Sequence, residues 1–187
     1  SKEIWAVGDG GTIIRRNPTT GVWTEENSPV TTQLNGISGS SPDNIYAVGN
    51  NGIAIKYDGT SWTTISTGTN FNLNGLHTFN DNSIYVVGHK TGIGNGVFHS
   101  SGGDFSSIYV SNYGFPKDIW VGSEDTIYAS TTSGGTVLFF DGSTWGPVDV
   151  VGGTQNAISG YGSSAYLVNS GGNVAIIKNG VQDSIEN

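Results

Sequence analysis

The sequence predicts an all-β fold built from five copies of a four-stranded unit of about 40 residues, and two observations carry that expectation. The first is a recurring strand motif: Ile4-Trp5-Ala6-Val7-Gly8, Ile45-Tyr46-Ala47-Val48-Gly49 and Ile84-Tyr85-Val86-Val87-Gly88, then Ile127-Tyr128-Ala129-Ser130 and Ala165-Tyr166-Leu167-Val168. Its aromatic stands at 5, 46, 85, 128 and 166, in steps of 41, 39, 43 and 38 residues, a spacing that signals stacked structural repeats. The second is composition. Thirty glycines and only 12% charged residues suit short strands joined by tight turns, because glycine reaches the positive φ that such turns need. Helix finds no support: no window of a dozen residues keeps apolar positions at i, i+3, i+4 and i+7.

The elements of the unit follow in order. An inner strand A reads Leu34-Asn35-Gly36-Ile37, Leu73-Asn74-Gly75-Leu76, Asp118-Ile119-Trp120 and Asn156-Ala157-Ile158, eight or nine residues before the aromatic of strand B. Strand B is the motif above, β-branched and aromatic, ending at turn formers. The B-to-C turns Gly8-Asp9-Gly10-Gly11, Gly49-Asn50-Asn51-Gly52 and Asn169-Ser170-Gly171-Gly172 have the chemistry of hairpins with left-handed residues, so B and C are antiparallel neighbours. Strand C reads Thr12-Ile13-Ile14-Arg15, Ile53-Ala54-Ile55-Lys56, Gly96-Val97-Phe98-His99, Val137-Leu138-Phe139-Phe140 and Val174-Ala175-Ile176-Ile177. Strand D carries Trp23, Trp62, Phe105, Trp145 and Val181.

A four-stranded meander of this size cannot bury both its faces alone. Packing the copies radially, as a five-bladed β-propeller, leaves only short edges exposed. The repeats fall at about residues 1–30, 31–70, 71–112, 113–152 and 153–187, as one propeller domain or a segment of a longer array. The first repeat enters at strand B, so 19 strands are expected where five full units need 20. Completion of that unit is expected from residues upstream of Ser1 or from a strand of a neighbouring molecule, which makes self-association through an unpaired edge an expectation.

Lys56-Tyr57-Asp58-Gly59-Thr60-Ser61-Trp62 and Phe139-Phe140-Asp141-Gly142-Ser143-Thr144-Trp145 resemble the Asp-box hairpin of sialidase-like and photosystem-assembly-factor-like propellers. Ile45-Tyr46-Ala47-Val48-Gly49 with Asn51-Gly52-Ile53 is similar to the aromatic-Ala-Val-Gly, then Gly-Ile/Leu, pattern of the assembly-factor-like repeats. The resemblance spans nearly the whole chain, although Asp58 and Trp62 stand four apart where the box usually has five. It implies a propeller in which the box is structural, on the outer hairpin away from any active site. Asp58 and Asp141 would then hold turns, and Trp23, Trp62, Phe105 and Trp145 would pack between sheets.

Charge and residue counts exclude several function classes. Fifteen acids against seven bases repel a phosphate backbone, so nucleic acid is not an expected partner. Zero cysteines rule out disulfides and thiolate metal sites, and no apolar run approaches the roughly 20 residues of a membrane span. A sialidase clamp needs three arginines, whereas Arg15 and Arg16 are the chain's only two and point to opposite faces of one strand. Carboxylates for a divergent glycoside hydrolase exist at Glu25, Glu26, Glu124, Asp125 and Asp149, but nothing in their spacing pairs them. His77, His89 and His99 fall at different phases of the repeat, so neither a metal nor a cofactor is expected.

Alternating strand direction brings the B-to-C turns and the D-to-A connections to one end of the propeller. That end carries the candidate binding residues Asp9, Asn50, Asn51, Asn70, Phe71, His89, Lys90, Asn112, Tyr113 and Phe115. Amides and carboxylates beside aromatic rings suit neutral sugars or a protein loop. The expected function is therefore a non-catalytic extracellular or cell-surface recognition module, adhesive in character, binding glycan or protein. An architectural unit of a long surface protein or fibre, assembled through strand edges, is the second reading, and a divergent glycoside hydrolase the third.

Overall fold

The computed structural model describes residues 3–102, 104–111, 113–150 and 153–186. Within them lie 19 strands in five antiparallel sheets, the first with three strands and the others with four. Sheet one is β1 (Ile4–Val7), β2 (Ile13–Arg16) and β3 (Trp23–Glu25). Sheet two is β4 (Leu34–Ser41), β5 (Asn44–Gly49), β6 (Ala54–Tyr57) and β7 (Trp62–Ile65). Sheet three is β8 (Asn72–Asn80), β9 (Ser83–Lys90), β10 (Gly94–Ser100) and β11 (Ser106–Ser111). Sheet four is β12 (Pro116–Ser123), β13 (Thr126–Thr131), β14 (Thr136–Phe140) and β15 (Trp145–Asp149). Sheet five is β16 (Gln155–Tyr161), β17 (Ser164–Asn169), β18 (Val174–Lys178) and β19 (Val181–Glu186). Each full sheet is a meander in sequence order, as the A-to-D reading requires, and sheet one lacks its strand A.

Period-two alternation gives every sheet two faces, and the core lies between sheets rather than within them. On one face of sheet one, Trp5, Val7 and Ile13 meet Ile45, Ala47, Ile55, Tyr57 and Trp62 of sheet two. The same contact recurs down the chain. Tyr46, Val48 and Ala54 meet Ile84, Val86 and Phe98; Tyr85, Val87 and Val97 meet Ile127, Ala129 and Leu138; Tyr128 and Val137 meet Ala165, Leu167, Ala175 and Ile177. The recurring aromatic of strand B is thus the residue each sheet presents to the next. With both faces covered, all of β5 is buried.

Among the described residues no hydrophobic cluster joins sheet five to sheet one. On sheet five, Tyr166 and Val168 are 40% and 49% exposed, although Tyr46 and Val48 at the same phase are buried. Register places Trp23 on the opposite face of sheet one with Ile4 and Arg16, a face on which no sheet packs among the described residues. The expectation that Trp23 packs between sheets is therefore corrected: the ring is 44% exposed. Trp62 and Trp145 stand at the equivalent position on sheets that do have a predecessor. Trp62 is buried against Trp5, and Trp145 stacks on Tyr109 with ring centroids 5.1 Å apart. Phe105 packs half-buried into the cluster between sheets two and three.

Asp58 and Asp141 hold the hairpins that deliver those two tryptophans. Asp58 Oδ1 accepts the backbone N–H groups of Thr60 and Ser61 at 2.9 and 2.8 Å, and Asp141 Oδ1 those of Ser143 and Thr144 at 2.9 and 2.8 Å. Bonding to the charged form holds both carboxyls below their ordinary value, chiefly through Ser61 and Thr144. A depressed carboxyl contributes stability that is whole above the unfolded value of about 3.9 and is lost as pH falls through the lower folded value. The double variant Asp58→Asn/Asp141→Asn keeps an acceptor oxygen in each turn but removes the titration. Its urea midpoint should therefore fall less than that of the parent between about pH 5 and pH 3. Equal falls would show that these turns do not respond to acid.

Two of the B-to-C turns are single 3-10 turns, at Asp9–Gly11 and Asn50–Gly52, with Gly10 and Asn51 left-handed at φ 64° and 58°. Each is closed across its base, by Gly8 N–H to Thr12 O and by Gly49 N–H to Ile53 O at 3.0 and 2.9 Å.

Candidate functional site

All four inner strands break register at the same place. In β4, β8, β12 and β16 the pairing with strand B skips one residue, between Leu34 and Gly36, Leu73 and Gly75, Pro116 and Asp118, and Gln155 and Ala157. The residues left out of the ladder are Asn35, Asn74, Lys117 and Asn156. A bulge re-aims the side chain it displaces. Repeated four times at one phase, it brings these polar groups to a common cavity of about 250 Å³, which Asp118 also lines. The inner strands come close enough there that a Cβ on Gly75 would stand 2.8 Å from Asp118 Cα and from Lys117 O.

Three of the four bulged side chains stitch their sheet to the next. Asn35 Nδ2 donates to Leu73 O at 2.8 Å and to Asn50 Oδ1 at 2.9 Å. Asn74 Nδ2 donates to Pro116 O at 2.6 Å and approaches His89 Nδ1 at 3.1 Å. The Pro116 carbonyl requires the amide nitrogen there, so His89 Nδ1 accepts and the ring proton sits on Nε2. Lys117 Nζ donates to Asn156 Oδ1 at 3.1 Å. Among the described residues, Oδ1 of Asn35, Oδ1 of Asn74 and Nδ2 of Asn156 have no hydrogen-bond partner.

Asp118 has both carboxylate oxygens engaged, Oδ1 with the N–H of Ile119 at 2.9 Å and Oδ2 with the N–H of Ile158 in the next sheet at 3.1 Å. Burial pushes its pKa up and the two amides pull it back down. An asparagine could accept only one of those two bonds, so a carboxylate at this position joins two sheets in a way its amide cannot.

Of the candidates read from sequence, the structure brings Asn50 and His89 to this ring and sets the Phe115 ring 4.5 Å from that of His89. Phe115 is 45% exposed, held by its N–H to Thr132 Oγ1 at 2.8 Å and by Thr132 N–H to its carbonyl at 2.9 Å. Tyr113 is exposed nearby in the chain. His89 and Lys90 end strand β9 rather than lying in a turn, because β9 and β10 run longer than their counterparts in the other sheets. None of the candidates lines the cavity itself: Asn50 and His89 reach the ring only through their bonds to Asn35 and Asn74, and the remaining candidates lie away from it. Phe71 is half-buried edge-to-face on Phe98, and Asn51 donates its backbone N–H to Asn72 Oδ1 at 3.1 Å. The Asp9 carbonyl accepts the Thr12 hydroxyl at 2.7 Å, Asn70 lies in the loop before β8, and Asn112 falls outside the described residues.

The sequence reading passed over Asn35, Asn74, Lys117 and Asn156 as site residues. The signal was a polar residue at one phase of four otherwise apolar strands. His77 and His99 stand apart from the ring, each with its pKa lowered by burial, and His99 Nε2 is 2.9 Å from Ser83 Oγ. Among the described residues, no three His, Asp or Glu side chains come together as a metal site, and no helix is long and apolar enough to cross a membrane.

With this geometry in place, comparison with solved structures decides the fold. The chain superposes with a TM-score of 0.79 on a chain of the crystal structure of a nidogen/laminin complex, at 13% identity over 99% of this chain and 75% of that one. It superposes with a TM-score of 0.72 on a chain from YCF48 bound to D1 peptide, at 13% identity over 97% of this chain. It spans 62% of that second chain. The fold is a β-propeller. No family model and no curated protein sequence matches the chain.

Proposed function

We propose that the chain is a non-catalytic recognition module that takes a protein segment at the end of the propeller bearing the inner-strand ring. The observation that carries this reading is the convergence of four bulged polar side chains on one cavity, beside the exposed Phe115 ring. A cavity of about 250 Å³ is smaller than the roughly 300–1,000 Å³ of small-molecule sites, and suits one side chain of a protein loop. Lys117 Nζ and the Asn156 amide N–H can donate to a carboxylate or carboxamide oxygen, the free oxygens of Asn35 and Asn74 can accept from a carboxamide N–H, and the stacked Phe115 and His89 rings lie beside the cavity. Both structural neighbours are described as complexes, one with laminin and one with a peptide, which supports a protein ligand over a glycan. Asp118 supports the non-catalytic reading, since both its oxygens are spent on backbone amides. An extracellular or cell-surface setting is in keeping with a net charge of −8 and the absence of thiols.

Selection of a displayed peptide library against the chain tests the proposal. Selected peptides should be acidic or amide-bearing and should lose at least about tenfold in affinity to Lys117→Ala and to Phe115→Ala, both variants keeping the parental melting temperature. Unchanged affinity in both variants would move the site elsewhere. Binding to a glycan array through the same two residues, with no peptide enriched, would replace the ligand class.

A further inference from the structure

The chain has three histidines, and all three lie on one face of one sheet. Register sets His77 of β8 and His99 of β10 directly opposite Tyr85 of β9, one on each side. Tyr85 belongs to the cluster that packs sheet three on sheet four, so both imidazoles are on that face. His89 stands four residues after Tyr85 on the same strand and shares its face by alternation, and its ring meets that of Phe115 at 4.5 Å where the chain enters sheet four. The three differ in phase along the repeat, but they share a single contact between sheets. We propose that this contact is an acid-sensitive joint: with the imidazoles neutral it packs like its neighbours, and their protonation opens it between sheets three and four while the other contacts hold.

The same row in sheet four shows what the imidazoles replace. There the strand B aromatic is Tyr128, flanked in register by Trp120 of β12 and Phe139 of β14. These rings stack on it at centroid distances of 6.0 and 4.6 Å. In sheet three His99 stacks on Tyr85 at 4.4 Å, as Phe139 does on Tyr128, and His77 stands in the place of Trp120. A neutral imidazole can serve there as a flat ring, whereas an imidazolium carries a charge that has to be hydrated. In sheets one and two the position of His99 is held by Arg15 and Lys56, whose charged groups lie 5.1 and 5.2 Å from the ring centroids of Trp5 and Tyr46. Their long stems can carry the charge toward water, and the short arm of histidine cannot.

The charged groups around the joint do not offset that cost. Burial lowers the pKa of His77 with no charge acting on it. Burial also lowers that of His99, outweighing the opposite pull of Glu124, which reaches His99 and Tyr85 from the turn between β12 and β13. His99 Nε2 lies 2.9 Å from a neutral partner, Ser83 Oγ. On β12, Lys117 is turned to Asn156 and Asp118 to Ile158, both in sheet five. Lys90 follows His89 in β9 and so points to the opposite face. His89 accepts from Asn74 Nδ2 through Nδ1, and a proton on that nitrogen would end the bond. A histidine whose folded pKa is lowered leaves stability whole above the unfolded value of about 6.5, and stability is lost as pH falls below it. The inner-strand ring spans this joint through Asn74 and Pro116, so acid would release a ligand held there; that consequence rests on the function proposed above, and the joint does not.

Urea denaturation of the full chain between about pH 8 and about pH 5.5 tests the joint. The parent midpoint should fall as pH drops through that range, and the triple variant His77→Gln/His89→Gln/His99→Phe, which has no imidazole, should lose at most about half as much. Hydrogen exchange of the parent, corrected for the intrinsic effect of pH, is a second measurement that needs no variant. Protection lost across the same range should be greatest at the amides of β8 to β10 and β12 to β14. The inference is overturned by equal falls in parent and variant, by a parent midpoint that does not move, or by a loss of protection that is even over the five sheets or greatest in sheets one, two or five.

Discussion

Replacing Trp62 with alanine is expected to destabilise the fold by about 3–5 kcal/mol, the range for deleting a large buried aromatic. The ring is 7% exposed and lies between Trp5 and Tyr57, with centroids 5.7 and 5.3 Å away. Together with Trp5 it is the largest side chain of the contact between sheets one and two, so its loss leaves a cavity there. Trp62→Phe should cost much less than Trp62→Ala. It keeps an aromatic ring in the trio, and it removes an indole N–H that is buried without a hydrogen-bond partner among the described residues, a burden of about 1–3 kcal/mol in the parent. Urea denaturation of the three proteins measures both differences. An alanine variant within about 1 kcal/mol of the parent would mean that the contact between sheets one and two does not depend on this ring.

Gly52→Ala should destabilise by about 2–5 kcal/mol, from left-handed strain of about 1–2 kcal/mol and the disturbance of two hydrogen bonds of roughly 0.5–1.5 kcal/mol each. Gly52 has φ 73°, and an added Cβ would lie 1.9 Å from the Thr69 carbonyl oxygen. That oxygen is backbone in the link from sheet two to sheet three, and it cannot swing aside as a side chain would. Gly52 N–H donates to Phe71 O at 2.7 Å, and its carbonyl accepts the Thr67 hydroxyl at 2.7 Å, so a shift would disturb both bonds. Gly92→Ala is the control, since Gly92 is also left-handed at φ 80° but has open space where the Cβ would go. Thermal unfolding should rank parent, Gly92→Ala and Gly52→Ala in falling order. Equal losses in the two variants would show that the Thr69 carbonyl gives way.

The strands, their order within each sheet and the short first sheet were legible in the sequence because each depends on local pattern. Alternation at Ile45-Tyr46-Ala47-Val48 and the glycine turns after it report directly on backbone geometry. The fate of Trp23 was not legible. It has the same phase as Trp62 and Trp145, and only the absence of a sheet in front of it sets it apart. The inner ring was half legible: Asn35, Asn74 and Asn156 repeat at one phase, but the bulge that turns them inward depends on pairing with strand B. His89 and Phe115, 26 residues apart in the chain, meet because sheets three and four pack side by side.

Among the described residues the sheets touch in a line from first to fifth, so each is held by its neighbours in that row. Sheet three shares clusters with two partners, while sheets one and five each share a cluster with one. The free energy of opening therefore rises from the ends of the row toward its middle, and the end sheets can unfold with less disturbance of the rest. Among the described residues, sheet one has three strands and one packed face, so it is expected to open first.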